Sequence, residues 1–176
     1  MALRRILDSS KTDLLRKQSR PVEDINRRVL QLLDDLAQTM YAADGCGLAA
    51  PQVGVLRRAI VVDTGNGLIE LLNPKLVSGS DEREDSEGCL SIPGIRGIVV
   101  RPHKVTVCGL NRKGEEIEVT AEDLTAVALC HEMDHLDGVL YTDKMIRIDD
   151  TPYEIVDDTD DTAGDSKGKG KRESSR

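Results

Sequence analysis

Hydrophobic residues recur every three or four positions between Asp24 and Tyr41, and most of the polar residues between them fall on the opposite side of a helix. The apolar stripe consists of Ile25, Val29, Leu32, Leu33, Leu36 and Met40. Pro21 stands just before this segment and Gly45 just after it, as expected at helix ends. The pattern predicts an amphipathic helix of about five turns near the N-terminus.

Beyond this helix the chain changes to short runs rich in β-branched residues, which are separated by glycine, proline and asparagine. These runs predict strands over 59–63, 68–72, 98–100, 104–110 and 116–120. A turn is predicted at 111–114, where Gly114 supplies the positive φ with which an antiparallel hairpin reverses its direction.

A second helix is predicted from about Thr120 to Gly138. The Thr120 hydroxyl can cap free N–H groups, and Glu122 and Asp123 would stand in the first turn, where the helix dipole favours acids. The apolar residues of this segment cover more than one face, which is typical of a buried helix. Helices at both ends of a strand-rich region predict an α+β fold, with mostly antiparallel sheets packed around this central buried helix.

Composition narrows the range of functions. The 176 residues suffice for one well-packed domain, and a net charge of −8, with no Trp or Phe, argues against specific nucleic-acid binding. Residues 149–165 carry eight acids and no base, and residues 166–176 carry five bases. Such a segment cannot bury enough apolar surface to fold. We therefore predict a folded domain over 1–148 and a disordered tail over 149–176.

No apolar run is long enough for a secretory signal or a membrane span, so a cytoplasmic location without a membrane partner is expected. In that compartment the four cysteines would be thiols, and no two of them have the Cys-x-x-Cys spacing of zinc fingers. Any metal ligand among them would act singly.

The second predicted helix contains the motif HEMDH at 131–135. Residues four apart on a helix lie on the same face, so His131 and His135 can reach one ion, although a buried and hydrogen-bonded pair is the alternative. Glu132 lies about 100° around the helix from His131, so it is a poor ligand but can reach water on the metal. A divalent ion lowers the pKa of bound water toward about 7, and a carboxylate can take and redeliver the proton.

A tetrahedral catalytic site needs a third protein ligand. Downstream of His135 the only acids before the tail are Asp137 and Asp143, and there is no further histidine. Upstream, the segment EGCLS at 87–91 offers a cysteine beside glycine, which lets the backbone approach a reacting group closely. We therefore predict Cys89 as the third ligand.

Two acids near these motifs are predicted to act indirectly. Glu87 is expected to serve structure, through a pair with Arg96 or Arg101. Asp134 is expected either to orient an imidazole or to face water, and the sequence favours neither.

Three motifs together resemble the peptide deformylase family: GCGLAAPQ at 45–52, EGCLS at 87–91 and HEMDH at 131–135, in the family's order. The resemblance extends from the first helix to about Met145. It implies a metal-dependent amidase, typically an iron(II) enzyme, that removes formate from the N-terminal formyl-methionine of nascent bacterial or organellar proteins.

The resemblance also assigns roles. Cys89, His131 and His135 would bind the metal, for which iron(II) is expected in the cell and zinc, nickel or cobalt in purified protein. Metal-bound water would attack the formyl carbon, with Glu132 as general acid and base. The side-chain amide of Gln52 and the backbone N–H of Leu90 would stabilise the oxyanion.

For the substrate, the resemblance implies that Gly47 and its strand expose backbone groups to an extended peptide. An aliphatic pocket for methionine would contain Cys46, Leu124, Val127 and Ala128, which fit an ordinary core nearly as well. The expected partners are N-formyl-methionyl nascent peptides. The basic end of the tail is compatible with transient contact with a ribosome, although its composition favours a solubilising terminus. Deletion of 150–176 is expected to leave catalysis intact.

Two thiols depart from the family's commonest pattern. Cys130 stands where glutamine is usual and Cys46 where an aliphatic residue is frequent, which puts two extra thiols near the metal site and leaves open whether they are redox-sensitive. Two other interpretations remain: a zinc endopeptidase, which lacks its downstream ligand here, and a catalytically inactive metal-binding module.

Overall fold

Six antiparallel strands and three helices form the computed structural model, which describes residues 2–151. The helices are α1 (Arg27–Ala42), α2 (Asp123–Leu136) and α3 (Tyr141–Lys144). The strands are β1 (Gly47–Ala49), β2 (Ala59–Val62), β3 (Ile69–Cys89), β4 (Ile92–Leu110), β5 (Glu116–Glu122) and β6 (Arg147–Ile148). Short 3₁₀ turns lie at Ser9–Lys11, Asp13–Arg16 and Ala50–Val53. The predicted α+β class with antiparallel pairing is confirmed.

The strands follow the order β1-β2-β3-β4-β5, and β6 pairs with the early part of β4. Because β3 and β4 are long, they form an extended hairpin whose turn is Leu90 and Ser91. Cys89 and Ile92 pair across this turn. The hairpin thus brings the 87–91 motif to a tip, where it meets other parts of the chain.

The helix α1 has the predicted apolar stripe, which packs on β1 and β2. It begins at Arg27 rather than Asp24, because the Asn26 side chain accepts hydrogen bonds from the N–H groups of Arg28 and Val29, at 3.0 and 3.3 Å. The predicted helix is therefore confirmed, with a start three residues later.

The helix α2 contacts β1, β2, β4 and β5, and most of its residues are buried. It begins at Asp123, so the prediction that Thr120 caps it is wrong. Thr120 instead lies in β5 opposite Thr106, and their hydroxyls are 3.0 Å apart. Pairing with β4 keeps the backbone extended as far as Glu122, and this tertiary contact outweighs the local capping signal.

Strand lengths differ most from prediction. The predicted strand 68–72 is only the beginning of β3, and the predicted strands 98–100 and 104–110 are parts of one strand, β4. Residues 75–82 of β3 are exposed and mostly polar. Most of them belong to the strand because they pair with β4 and not because they bury a face, so hydrophobic alternation does not reveal this part of β3.

No helix within residues 2–151 is long and apolar enough to cross a membrane. Residues 152–176, most of the predicted disordered tail, lie outside the described residues. The first residue of that tail is bound to the body: the Asp149 N–H donates to the Arg96 carbonyl at 3.0 Å, and its carboxylate accepts from the Ser86 hydroxyl.

Candidate active site

Three side chains with metal-binding atoms converge where the hairpin tip meets α2. Cys89 ends β3, and His131 and His135 lie one turn apart on α2. Their ligand atoms all lie within 4.8 Å of one another, and Cys89 Sγ is 3.3 Å from His135 Nε2. Burial lowers the pKa of His135 well below its usual value, so the ring is neutral, the form that binds a cation. A sulfur and two imidazoles fit a divalent transition metal.

His131 is oriented by a buried chain of charged groups. Its Nδ1 lies 2.7 Å from Glu87 Oε2, and Arg101 binds Glu87 through two nitrogens at 2.6 and 3.1 Å. Burial alone would raise the pKa of Glu87, but the hydrogen bonds from His131 and Arg101 outweigh it and lower that pKa to about 2. As an anion Glu87 must accept the proton of Nδ1, so Nε2 is the ring nitrogen at which a metal would replace a proton.

Of the two predicted partners of Glu87, the structure selects Arg101. Asp134 fits neither of its predicted roles. It accepts from Arg101 Nη1 at 2.7 Å and from Lys144 Nζ at 2.8 Å, so it holds the arginine that holds Glu87. The Arg101–Glu87 and Arg101–Asp134 pairs both form because β4, which carries Arg101, passes beside α2.

We expect Arg101→Met to destabilise the fold by about 3 kcal/mol, because it leaves the Glu87 carboxylate buried without its main counter-charge. Urea unfolding of the variant measures this. The matched control is Arg112→Met, which removes a similar two-nitrogen pair with Glu70 from a side chain that is 45% exposed. Because exposed pairs contribute little, that variant should change stability much less. Equal losses would contradict the prediction.

Glu132 is buried against the end of β1. Glu132 is 4% exposed to solvent. Its Oε2 atom is buried and has no hydrogen-bond partner within residues 2–151. Burial raises the pKa of this carboxyl to about 7, and a cation beside it would lower that pKa again. Gly47 makes the room: a Cβ there would lie 2.5 Å from Glu132 Oε1.

Gln52 is held in one orientation. Its Oε1 accepts the Ala49 N–H at 2.8 Å, so its NH₂ group must point the other way, where it lies 3.5 Å from Cys89 Sγ and 3.3 Å from Ser91 Oγ. Leu90 lies in the turn beside Cys89, so its N–H is outside the β3–β4 ladder. The Gln52 amide therefore lies beside the cluster, and the Leu90 N–H belongs to the residue that follows Cys89 in the chain.

A cavity of about 550 Å³ opens beside these groups. Its lining includes Gln52, Cys89, Leu90, His131 and Glu132, and also all the predicted substrate-binding residues: Cys46, Gly47, Leu124, Val127 and Ala128. Such a volume suits a small ligand or a few residues of a peptide.

A family model described as Polypeptide deformylase matches residues 3–151. The chain belongs to the peptide deformylase family. The peptide deformylase of Acetivibrio thermocellus is 57% identical over 150 residues, which are 85% of this chain and 88% of that protein. The enzyme of Thermoanaerobacter pseudethanolicus is 57% identical over 135 residues, which are 77% and 85% of the two chains.

Solved deformylase structures share the fold. A peptide deformylase from Legionella pneumophila has a TM-score of 0.78 at 44% identity, with 82% of this chain and 86% of that chain covered. The peptide deformylase from Thermotoga maritima has a TM-score of 0.79 at 36% identity, with 82% and 99% covered.

The cavity of this family member also has walls that the sequence did not suggest. They come from the start of β4 and from the residues before the hairpin tip: Ser86, Ile92, Gly94, Ile95 and Arg96. The apolar residues that follow the 87–91 motif could have indicated this wall, because the second strand of a hairpin runs back beside the first and so stays near the motif. Of the two unusual thiols, Cys46 lines the cavity, whereas Cys130 packs in the core between α2 and the sheet.

Proposed function

We propose that this chain removes the formyl group from the N-terminal formyl-methionine of nascent proteins and releases formate. The observation that carries the proposal is the meeting of Cys89, His131 and His135 beside a buried carboxylate, Glu132, in a cavity. Family membership supports metal dependence and the reaction class. The residue roles below are our assignments.

Cys89, His131 and His135 would hold a divalent ion, with iron(II) expected in the cell and zinc, nickel or cobalt as substitutes. When bound, such an ion supplies Lewis-acid chemistry that makes water nucleophilic near neutral pH. The Glu87 carboxylate keeps the proton of His131 on Nδ1, so that Nε2 would be the nitrogen that binds the cation.

Glu132 would act as general base and then general acid. Its Oε2, which has no hydrogen-bond partner within residues 2–151, can take a proton from the attacking water as the new C–O bond forms at the formyl carbon. The same carboxyl then gives that proton to the amide nitrogen as the C–N bond breaks. The immediate products are formic acid and the methionine amine; formic acid then loses its proton to the amine or to solvent, which gives formate, and Glu132 is again ionised.

Gln52 and Leu90 would stabilise the negative charge on the formyl oxygen. The Ala49 N–H already fixes the Gln52 amide, so its donor needs no reorganisation when charge develops. Removing one such donor usually costs about 10² to 10³ in rate.

The free edge of β1 would bind the peptide backbone. Among the described strands β1 pairs only with β2, and Gly45, Cys46 and Gly47 line the cavity. An extended peptide can add to such an edge by main-chain hydrogen bonds, which accept any downstream sequence. The methionine side chain would lie against Cys46, Leu124, Val127 and Ala128. Cytoplasmic location and transient ribosome contact remain predictions.

The deciding experiment is formate release from formyl-Met-Ala-Ser by protein prepared without oxygen, with metal analysis of the same sample. Stoichiometric formate and intact peptide bonds are expected. Cleavage of internal bonds would favour a zinc endopeptidase, and metal binding without either reaction would indicate an inactive module.

We expect Gly47→Ala to lower kcat about 10²-fold, because its Cβ would push the Glu132 carboxylate by roughly an ångström. Metal content should stay at the wild-type level, since the three atoms nearest to the new Cβ all belong to Glu132 and not to Cys89, His131 or His135. Steady-state kinetics and metal analysis measure the two quantities. Wild-type turnover in this variant would show that the position of Glu132 is not critical.

A further inference from the structure

Tyr141, the first residue of α3, joins the proposed metal site to the wall of the cavity. Tyr141 is only 1% exposed to solvent. Its ring stacks on the ring of His131, with centroids 5.9 Å apart and planes inclined by 28°. Its hydroxyl donates to the Ile95 carbonyl at 2.9 Å. One side chain therefore contacts both a candidate ligand and a lining residue.

The part of the cavity wall that Tyr141 contacts, residues 93–95, is not paired with β3. In the β3–β4 ladder Cys89 pairs with Ile92 and Gly88 with Arg96, so residues 93–95 have no partner on β3. They form a bulge, in which Gly94 has a φ of 78°. Gly94 and Ile95 line the cavity, and Ile95 is 46% exposed. A bulge without ladder bonds needs an anchor elsewhere to keep a fixed position.

Neighbouring residues give Tyr141 room to approach β4 and fix α3 to the rest of the protein. A Cβ at Gly97 would lie 2.2 Å from Met145 Sδ and 3.3 Å from Tyr141 Cε2, so the glycine lets α3 and its following residue approach the strand. Asp143 of α3 accepts the Leu140 N–H at 2.9 Å and pairs with Arg16, and Lys144 pairs with Asp134. Tyr141 thus stands on a turn that is tied to the body of the protein.

We propose that Tyr141 is a positioning residue for the substrate: its hydroxyl holds bulge 93–95 so that the cavity wall contacts the formyl-peptide at a fixed distance from Cys89 and His131. This inference rests on the proposed function. The tether should act mainly on peptide binding, because the ring stack on His131 does not require the hydroxyl.

The test is Tyr141→Phe, which keeps the ring and removes the hydrogen bond. With metal-loaded protein we expect KM for formyl-Met-Ala-Ser, and Kd for the product Met-Ala-Ser measured by calorimetry, to rise about 3- to 10-fold. The kcat and the metal content should stay at wild-type values. Backbone amides of residues 95–98 should exchange with solvent faster.

The matched control is Tyr41→Phe, which removes an exposed hydroxyl that donates to Asp63 at 2.6 Å on α1's side of the molecule. It should change none of these quantities. Unchanged KM, Kd and exchange in Tyr141→Phe would overturn the proposal, as would a fall in kcat with KM unchanged. Absence of formate release by the wild type would overturn the proposed function instead, and the exchange measurement would still report on the tether.

Discussion

Glu132→Gln is expected to lower kcat for formyl-Met-Ala-Ser about 10²- to 10⁴-fold while the protein keeps its metal. The amide has the shape of the carboxylate but cannot accept the proton of the attacking water. Because the Glu132 carboxyl is buried and its Oε2 lacks a partner within the described residues, a neutral amide should not lower the free energy of unfolding. Formate release, metal analysis and urea unfolding measure the three effects.

The control for that variant is Glu118→Gln, a carboxylate-to-amide change at an exposed position on β5. It should leave kcat, metal content and stability at wild-type values. Full activity of Glu132→Gln would mean that another group handles the proton, and the assigned mechanism would be wrong.

Cys89→Ala is expected to lose both metal and turnover. Removal of the sulfur leaves two imidazoles, and with them too few protein ligands for a tetrahedral catalytic site. The loss of several kcal/mol of transition-state stabilisation corresponds to a rate reduction of about 10³-fold or more. Metal content after dialysis and formate release are the measurements.

Cys108→Ala is the matched control, because Cys108 is a half-buried thiol on β4 that lies outside the cavity lining. It should retain metal and activity. The two site variants are expected to differ in one respect: Glu132→Gln keeps metal and Cys89→Ala does not. Full metal occupancy in Cys89→Ala would remove the cysteine from the ligand set.

The helices show how far local patterns reach. A period of 3.6 residues predicts α1, and the i, i+4 spacing of His131 and His135 by itself places both rings on one face of a helix. The strands are harder to predict from local pattern, because most of residues 75–82 are polar and belong to β3 only through pairing with β4. Thr120 was assigned to the wrong element for the same reason.

The features of the candidate site also fall into those that local sequence predicts and those that only tertiary packing determines. Residue types and their order were enough to nominate Cys89, Glu132 and the two histidines, since metal binding and proton transfer need particular side chains, and the family resemblance added Gln52. Sequence alone did not show that Gly47 makes room for the Glu132 carboxylate, that Ala49 orients Gln52, or that Tyr141 anchors the wall at Ile95. Each of these is a contact of a few ångströms whose geometry, even between near neighbours in the chain, is set by how the hairpin, the helix and the sheet pack. A helical period or a motif depends on neighbours along the chain, whereas the position of a reacting atom depends on all the elements that surround it.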